Sequence, residues 1–285
     1  MSDFNNNERV AVTGATGYLA EALIQTLVQR GHKINAIARN EGKLVELKKK
    51  YNDIEIFPCP VEDHCLLKKA LQGCEGVYHL ASFKDVNLAE IHALKTIQSN
   101  VIGTLNLLKL SMELPSIKFV VSTSTDKAVQ VSGVYGATKL LIERLFHEFH
   151  EINGNKCAYR LVRYGNIFYS TGSVLTKWKK SLQEGCNIVL TDPKATRFFL
   201  SRDQAVSLIH QCVVEAKSPL ALYPEMKSIE MGVLLDCMIE KYANSKPCIS
   251  VIGLQPGENF HELITPSKSS FDAVRWTKEE LMAII

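Results

Sequence analysis

The chain has 285 residues, 46% of them hydrophobic, enough for one large domain or two intimate ones with a sizeable core. Its 33 basic and 30 acidic residues give a net charge of +3, and no block of like charge exceeds Lys48-Lys49-Lys50, so nucleic acid and membrane surfaces are not expected partners. Eight cysteines without a C-x-x-C spacing, no signal peptide and no apolar run of transmembrane length predict a soluble cytoplasmic chain with reduced thiols and no metal site.

Asn5-Asn6-Asn7 reads as a frayed start. Arg9 to Thr13 is a short apolar strand that runs into Gly14-Ala15-Thr16-Gly17-Tyr18-Leu19-Ala20 and a helix stopping at Gly31; Lys33 to Ala38 is the second strand. Within this βαβ unit G-x-x-G-x-x-A is a phosphate-binding turn. Gly14 and Gly17 let backbone approach a pyrophosphate, Ala20 lets helix pack on strand, and the helix N-terminus favours the anion. The second strand ends in Ala38-Arg39-Asn40-Glu41-Gly42-Lys43, without the carboxylate that would hold the ribose hydroxyls of NAD. Arg39 with Lys43 suits a 2′-phosphate, which favours NADP; the alternative is an ordinary solvated arginine.

Strands at Ile54 to Phe57 and Gly76 to Leu80 flank a helix from Glu62 to Leu71. A long helix with Ile97, Val101, Leu105 and Leu108 then leads into a buried central strand, Ile117 to Val121. This alternation predicts an α/β fold, a Rossmann-type doubly wound parallel sheet. Residues 1–165 would form the cofactor lobe and 166–285 a smaller, interleaved mixed α/β lobe for substrate.

Ser122-Thr123-Ser124-Thr125-Asp126-Lys127 follows the central strand, so its polar groups emerge at a strand's carboxyl end, where open α/β sheets place ligands. In the helix predicted from Tyr135 to Glu151, Tyr135 and Lys139 are four apart and share one face. A phenol titrates near pH 10, and using it as a base near neutrality requires stabilising phenolate by about 3 units, roughly 4 kcal/mol. A fixed ammonium and the positive ring of an oxidised nicotinamide are two sources of that stabilisation. An adjacent Asp and Lys, taken alone, read as a solvated turn.

The glycine turn, His79-Leu80-Ala81, Asn100, Ser122 to Lys127, and Tyr135 with Lys139 together resemble an extended short-chain dehydrogenase/reductase. With T-D-K ahead of the tyrosine, Arg163-Tyr164-Gly165-Asn166, Thr196-Arg197-Phe198 and Pro256-Gly257-Glu258, the chain is similar to the UDP-N-acetylglucosamine 4,6-dehydratases that invert carbon 5. The resemblance implies NADP held by Gly14, Thr16, Gly17, Tyr18, Leu19, Arg39, Lys43, Val61, Leu80, Ala81, Asn100, Tyr135 and Lys139. It also implies that Tyr135 takes the proton of the sugar 4-hydroxyl, with Thr125 holding that oxygen, as hydride leaves carbon 4. Lys127, if neutral, would then remove the carbon-5 proton while Asp126, if protonated, gives a proton to the departing 6-hydroxyl. Relatives that only epimerise carbon 4 usually carry small residues at these two positions, and retaining dehydratases read T-D-E.

Lys156 to Arg163 reads as the sixth strand, Val174 to Glu184 as a helix opened by Gly172-Ser173, and Cys248 to Ile252 as a strand leading to Gln255-Pro256-Gly257-Glu258. By resemblance Lys84, Asn166, Ser173, Arg197 and Glu258 would contact a UDP-sugar; a turn asparagine and a surface ion pair are the plain alternatives for Asn166 and Arg197. Ser201 and Gln204 form a capping box. The chain departs from the family pattern at Gln255, Pro60 and Asp85, and its carboxyl end is short. Apolar helix faces within Glu90 to Met112 and Tyr135 to Glu151 would pair copies into a homo-oligomer or serve the chain's own core. The rival functions are a 4-epimerase, a retaining dehydratase, and a non-catalytic NADP-binding sensor.

Overall fold

The computed structural model describes residues 8–154 and 156–285, so Asn5-Asn6-Asn7 lies outside the described residues. The first half alternates β1 (Arg9–Thr13), α1 (Tyr18–Gln29), β2 (Lys33–Ala38), α2 (Glu41–Lys50), β3 (Ile54–Pro58), α3 (His64–Leu71) and β4 (Gly76–His79). It continues through α4 (Val86–Ile91), α5 (Ala93–Ile97), α6 (Gly103–Glu113), β5 (Phe119–Thr125), α7 (Val134–Asn153) and β6 (Ala158–Tyr164). The six strands are parallel in the order β3-β2-β1-β4-β5-β6, so the strand order reverses beside β1 and opens a crevice at the carboxyl ends of β1 and β4.

Period-2 alternation along the strands sends side chains to two cores. Val10, Val12, Phe119 and Val121 pack on one face with Leu23 and Leu27 of α1, while Ala11, Val77, Val120 and Leu161 pack on the other with Leu67, Leu107, Ile142 and Phe146.

The second half comprises β7 (Asn166–Ile167), α8 (Val174–Glu184), β8 (Ile188–Leu190), β9 (Thr196–Leu200), α9 (Arg202–Glu215), β10 (Ser228–Glu230), α10 (Met231–Tyr242), β11 (Ile249–Val251), β12 (Leu263–Thr265), β13 (Lys268–Ser269) and α11 (Lys278–Ile284). Trp178, Leu182, Phe199, Leu234, Met238 and Leu281 form its core. Helix α9 returns to the first half, where Ile209 and Cys212 join the core under α1. Its start is the capping box of Ser201 with Gln204.

Three elements depart from the sequence expectation. The helix expected from Glu62 begins at His64, because Asp63 caps it by accepting from Leu66 N at 2.9 Å. The central strand extends through Thr125, so Ser122 to Thr125 lie within the sheet rather than beyond it. The long helix before it breaks at His92 and widens into a π turn over Gln98–Ile102. The buried Asn100 occupies that turn, and its amide bonds Ser82, Phe83 and Thr138, contacts a regular helix would not align.

Candidate active site

A cleft of about 440 Å³ runs from the glycine turn, past the ends of β4 and β5, to Asn166 and Ser170. Its first part is built from backbone. Gly14 has φ +68°, and a Cβ there would lie 2.8 Å from Ala81 N, so only glycine lets β1 turn this close to the loop after β4. Helix α1 starts at Gly17 with no side-chain cap, which leaves its first N–H groups to an anion. Thr16, Tyr18, Leu19, Arg39, Val61, Leu80 and Ala81 line the same part. These residues fit a dinucleotide, with an uncapped helix end for the pyrophosphate and Arg39 at the end of β2.

Two residues expected here lie elsewhere. Lys43 is not in the lining; its N–H donates to Asn40 Oδ1 at 2.9 Å, so Asn40 caps α2. Asn100 spends its amide internally, accepting from Phe83 N at 2.6 Å and donating to Thr138 Oγ1 at 3.0 Å. It therefore positions the loop after β4 against α7 instead of facing the cleft.

The second part is built from charge. Thr125 ends β5, and its hydroxyl donates to Asp126 Oδ1 at 3.0 Å. A short 3-10 turn, Asp126–Ala128, follows, and α7 passes so close that a Cβ on Gly136 would sit 2.4 Å from Lys127 O. This contact brings Tyr135 and Lys139 of α7 to Thr125 and Lys127; all four line the cleft. Lys139 Nζ donates to Thr123 O at 2.9 Å and lies 6.0 Å from the Tyr135 ring centre. Burial depresses Lys139 to about 8, with Glu143 opposing. Burial pushes the Tyr135 phenol up to about 12 against the pull of Lys127 and a hydrogen bond with Thr125. Lys127 thus acts on that phenol as well, beside the Lys139 to which the sequence pointed.

Lys127 differs most from expectation. Its ammonium sits 3.1 Å from Asp126 Oδ1 and 3.0 Å from Glu262 Oε1. Burial lowers its pKa, but the two carboxylates outweigh burial and hold it charged. Asp126 moves the other way: burial raises it toward the protonated form despite Lys127, and its Oδ2 is buried without a partner. The sequence predicted a neutral lysine beside a protonated aspartate; burial moves Asp126 in that direction, while Lys127 is held charged and meets a further acidic side chain, Glu262.

The expected substrate residues divide. Lys84 and Asn166 line the cleft, and burial lowers the Lys84 pKa. Arg197 is buried, donates to Thr196 O and Phe260 O, and stands 3.8 Å from Glu262; it is neither a cleft residue nor a surface ion pair. Glu258 accepts from Gln255 N at 3.1 Å and closes its own turn. Ser173 caps α8 by accepting from Thr176 N. Asp85 caps α4, accepting from Leu88 N at 3.0 Å.

Three supporting carboxylates escaped sequence reasoning. Glu262 follows the P-G-E turn but meets Lys127 only through the fold. Glu143 joins Ser124 at 2.6 Å and Arg163 at 2.6 Å, tying α7 to β5 and β6. Glu90 accepts from Val134 N at 2.5 Å and caps α7, whose Gly133 offers no side chain. The spacing of Glu143 from Tyr135 and Lys139 on one helix was the only local signal.

Residues 10–283 match a family model described as polysaccharide biosynthesis protein. An uncharacterized membrane protein of Methanocaldococcus jannaschii is 36% identical over 272 residues, covering 92% of this chain and 81% of the relative. Among the described residues of this chain no helix is long and apolar enough to cross a membrane. An inverting UDP-N-acetylglucosamine 4,6-dehydratase of Campylobacter jejuni is 29% identical over 271 residues, covering 93% of this chain and 79% of the relative. The solved structure of Pen from Bacillus thuringiensis superposes with a TM-score of 0.91 at 25% identity, covering 99% of this chain and 98% of that one.

Proposed function

The chain belongs to the polysaccharide biosynthesis protein family, and on that premise we propose that it is an NADP-dependent UDP-N-acetylglucosamine 4,6-dehydratase that inverts carbon 5. The coarser statement, a UDP-sugar-modifying enzyme with a Rossmann cofactor site, rests on the family and the relatives above. The observation that carries the finer one is the placement of Lys127 with Thr125 and Tyr135 in one cleft, with Asp126 buried behind that lining against Thr125 and Lys127. An enzyme that only epimerises carbon 4 needs no acid and base for carbons 5 and 6.

In this reading residues 1–165 hold the cofactor and 166–285 the nucleotide-sugar. Arg39 lines the cleft at the end of β2 and supports NADP over NAD. When bound, NADP⁺ supplies the hydride acceptor for carbon 4, the donor to carbon 6, and positive charge in the cleft. Tyr135 takes the proton of the 4-hydroxyl while Thr125 holds the oxygen. Asp126, buried and inclined to hold a proton, gives it to the departing 6-hydroxyl. Lys127 removes the carbon-5 proton once its amine is neutral, and reprotonation on the opposite face gives the L-configured 4-keto-6-deoxy sugar. The enzyme is thus a hydro-lyase.

Exposed Ile91 and Leu94, with Leu141 on α7, support a homo-oligomer through these faces.

The test is mass spectrometry of UDP-N-acetylglucosamine deuterated at carbon 4 after incubation with protein and NADP⁺. The proposal expects loss of one water with the deuterium retained in the new methyl group. Retention of water, with or without epimerisation, would contradict it.

A further inference from the structure

The buried carboxylate of Glu262 has no place in the sequence reading and none in the lining of the cleft. It lies in the loop before β12, is 0% exposed, and meets Lys127 at 3.0 Å. Asn259 Nδ2 donates to its Oε2 at 3.2 Å, and Arg197 Nε stands 3.8 Å from Oε1. Lys127 lines the cleft, and Glu262 meets it from outside that lining.

We propose that Glu262 is a positioning residue for Lys127: it holds the amine as ammonium in the resting site and so sets the pH above which Lys127 is free to act as a base. The inference rests on the role given to Lys127 above. Glu262 stays a carboxylate in this arrangement: although burial opposes its charge, Lys127 and Arg197 favour it and Asn259 donates to it. With burial inclining Asp126 to hold its proton, Glu262 is the charged partner of the Lys127 ammonium, and Arg197 is the second cation on the same carboxylate. Pairing these buried charges avoids the cost of leaving any of them alone.

The groups that face Lys127 set the direction of the effect. Asp126 on its own turn and Glu262 favour the ammonium; Arg197 from β9 disfavours it; the Tyr135 phenol of α7 stands close by as a neutral group. Burial alone would leave the lysine neutral. Removing the Glu262 charge therefore lowers the pH at which the amine becomes free.

The experiment is lysine side-chain NMR on protein labelled at Cε and Nζ, with Lys127→Arg to assign the resonance, comparing wild type with Glu262→Gln and Glu262→Asp. The Lys127 titration midpoint should fall by about one unit or more in Glu262→Gln and by less, in the same direction, in Glu262→Asp. In pH profiles of kcat for methyl-sugar formation, the rising limb should move to lower pH in the same order. Unmoved midpoints and limbs, with activity reduced equally at every pH, would make Glu262 a structural brace and overturn the proposal. If Glu262→Gln does not fold, Glu262→Asp decides alone: a shift supports the proposal and no shift overturns it. If the midpoint shifts but wild type releases no water from the sugar, the functional reading fails and this one stands.

Discussion

The two parts of the cleft are built in opposite ways. Around Gly14 and α1 the protein offers backbone N–H groups and very little side-chain chemistry. Around Lys127 it buries two carboxylates and two cations against each other, each depending on the rest. A backbone site is robust to most substitutions except at the glycine that shapes it. A charge site is strongly non-additive, because deleting one member leaves its partner buried and unpaired.

The largest separation of the two parts should come from Lys127→Ala. It should lower dehydration by about 10³-fold or more, within the range for losing a general base, while leaving cofactor affinity unchanged in a fluorescence titration. A matched loss of both would merge the two parts into one.

The charge-built part also has a pH signature. Lys139 titrates near 8 in the folded protein against an ordinary value of 10.5, so between those values the unfolded chain binds more protons. Stability must then rise with pH across that window, by roughly 3 kcal/mol for this residue. Denaturant melts of wild type at pH 8 and pH 10 should show this gain, and Lys139→Met should lack it.

Gly14→Ala attacks the backbone-built part. Positive φ and the approach to Ala81 should weaken cofactor binding by about 10- to 100-fold, a strain of a few kcal/mol, with the Lys127 cluster unperturbed by NMR. Arg39→Ala should cost about tenfold in NADP affinity and little in NAD affinity, the worth of one charge-assisted contact; equal losses would sink the cofactor assignment. Glu90→Ala removes the cap of α7 and should cost about 1 kcal/mol in thermal stability, with a small drop in turnover.

The same contrast explains what was legible in the sequence. The glycine turn is local: spacing within one strand, turn and helix carries its meaning, and β1, α1 and β2 lie where the pattern put them. Thr125, Tyr135 and Lys139 were legible because a strand end and a helix period bring them to the cleft. Long-range partners were not. Arg197 and Glu258 carry the residue types of ligand contacts, yet the fold uses their charges to close turns and pair buried groups. Asn100 was found at the right depth and given the wrong neighbour, because a π turn has no local sequence pattern that distinguishes it from the helix around it. Glu262 meets Lys127 across more than a hundred residues, and no spacing rule reaches that far.

In the proposed reaction the charged part of the cleft removes water from a UDP-sugar and inverts carbon 5. Proton NMR of the protein with UDP-N-acetylglucosamine and catalytic NADP⁺ in D₂O tests it most directly. The account predicts a new methyl signal, simplified by deuterium at carbon 5, with ring couplings of the inverted configuration. A methyl signal with carbon 5 retained would contradict the inversion, and an unchanged methyl region with cofactor bound would contradict the dehydratase itself.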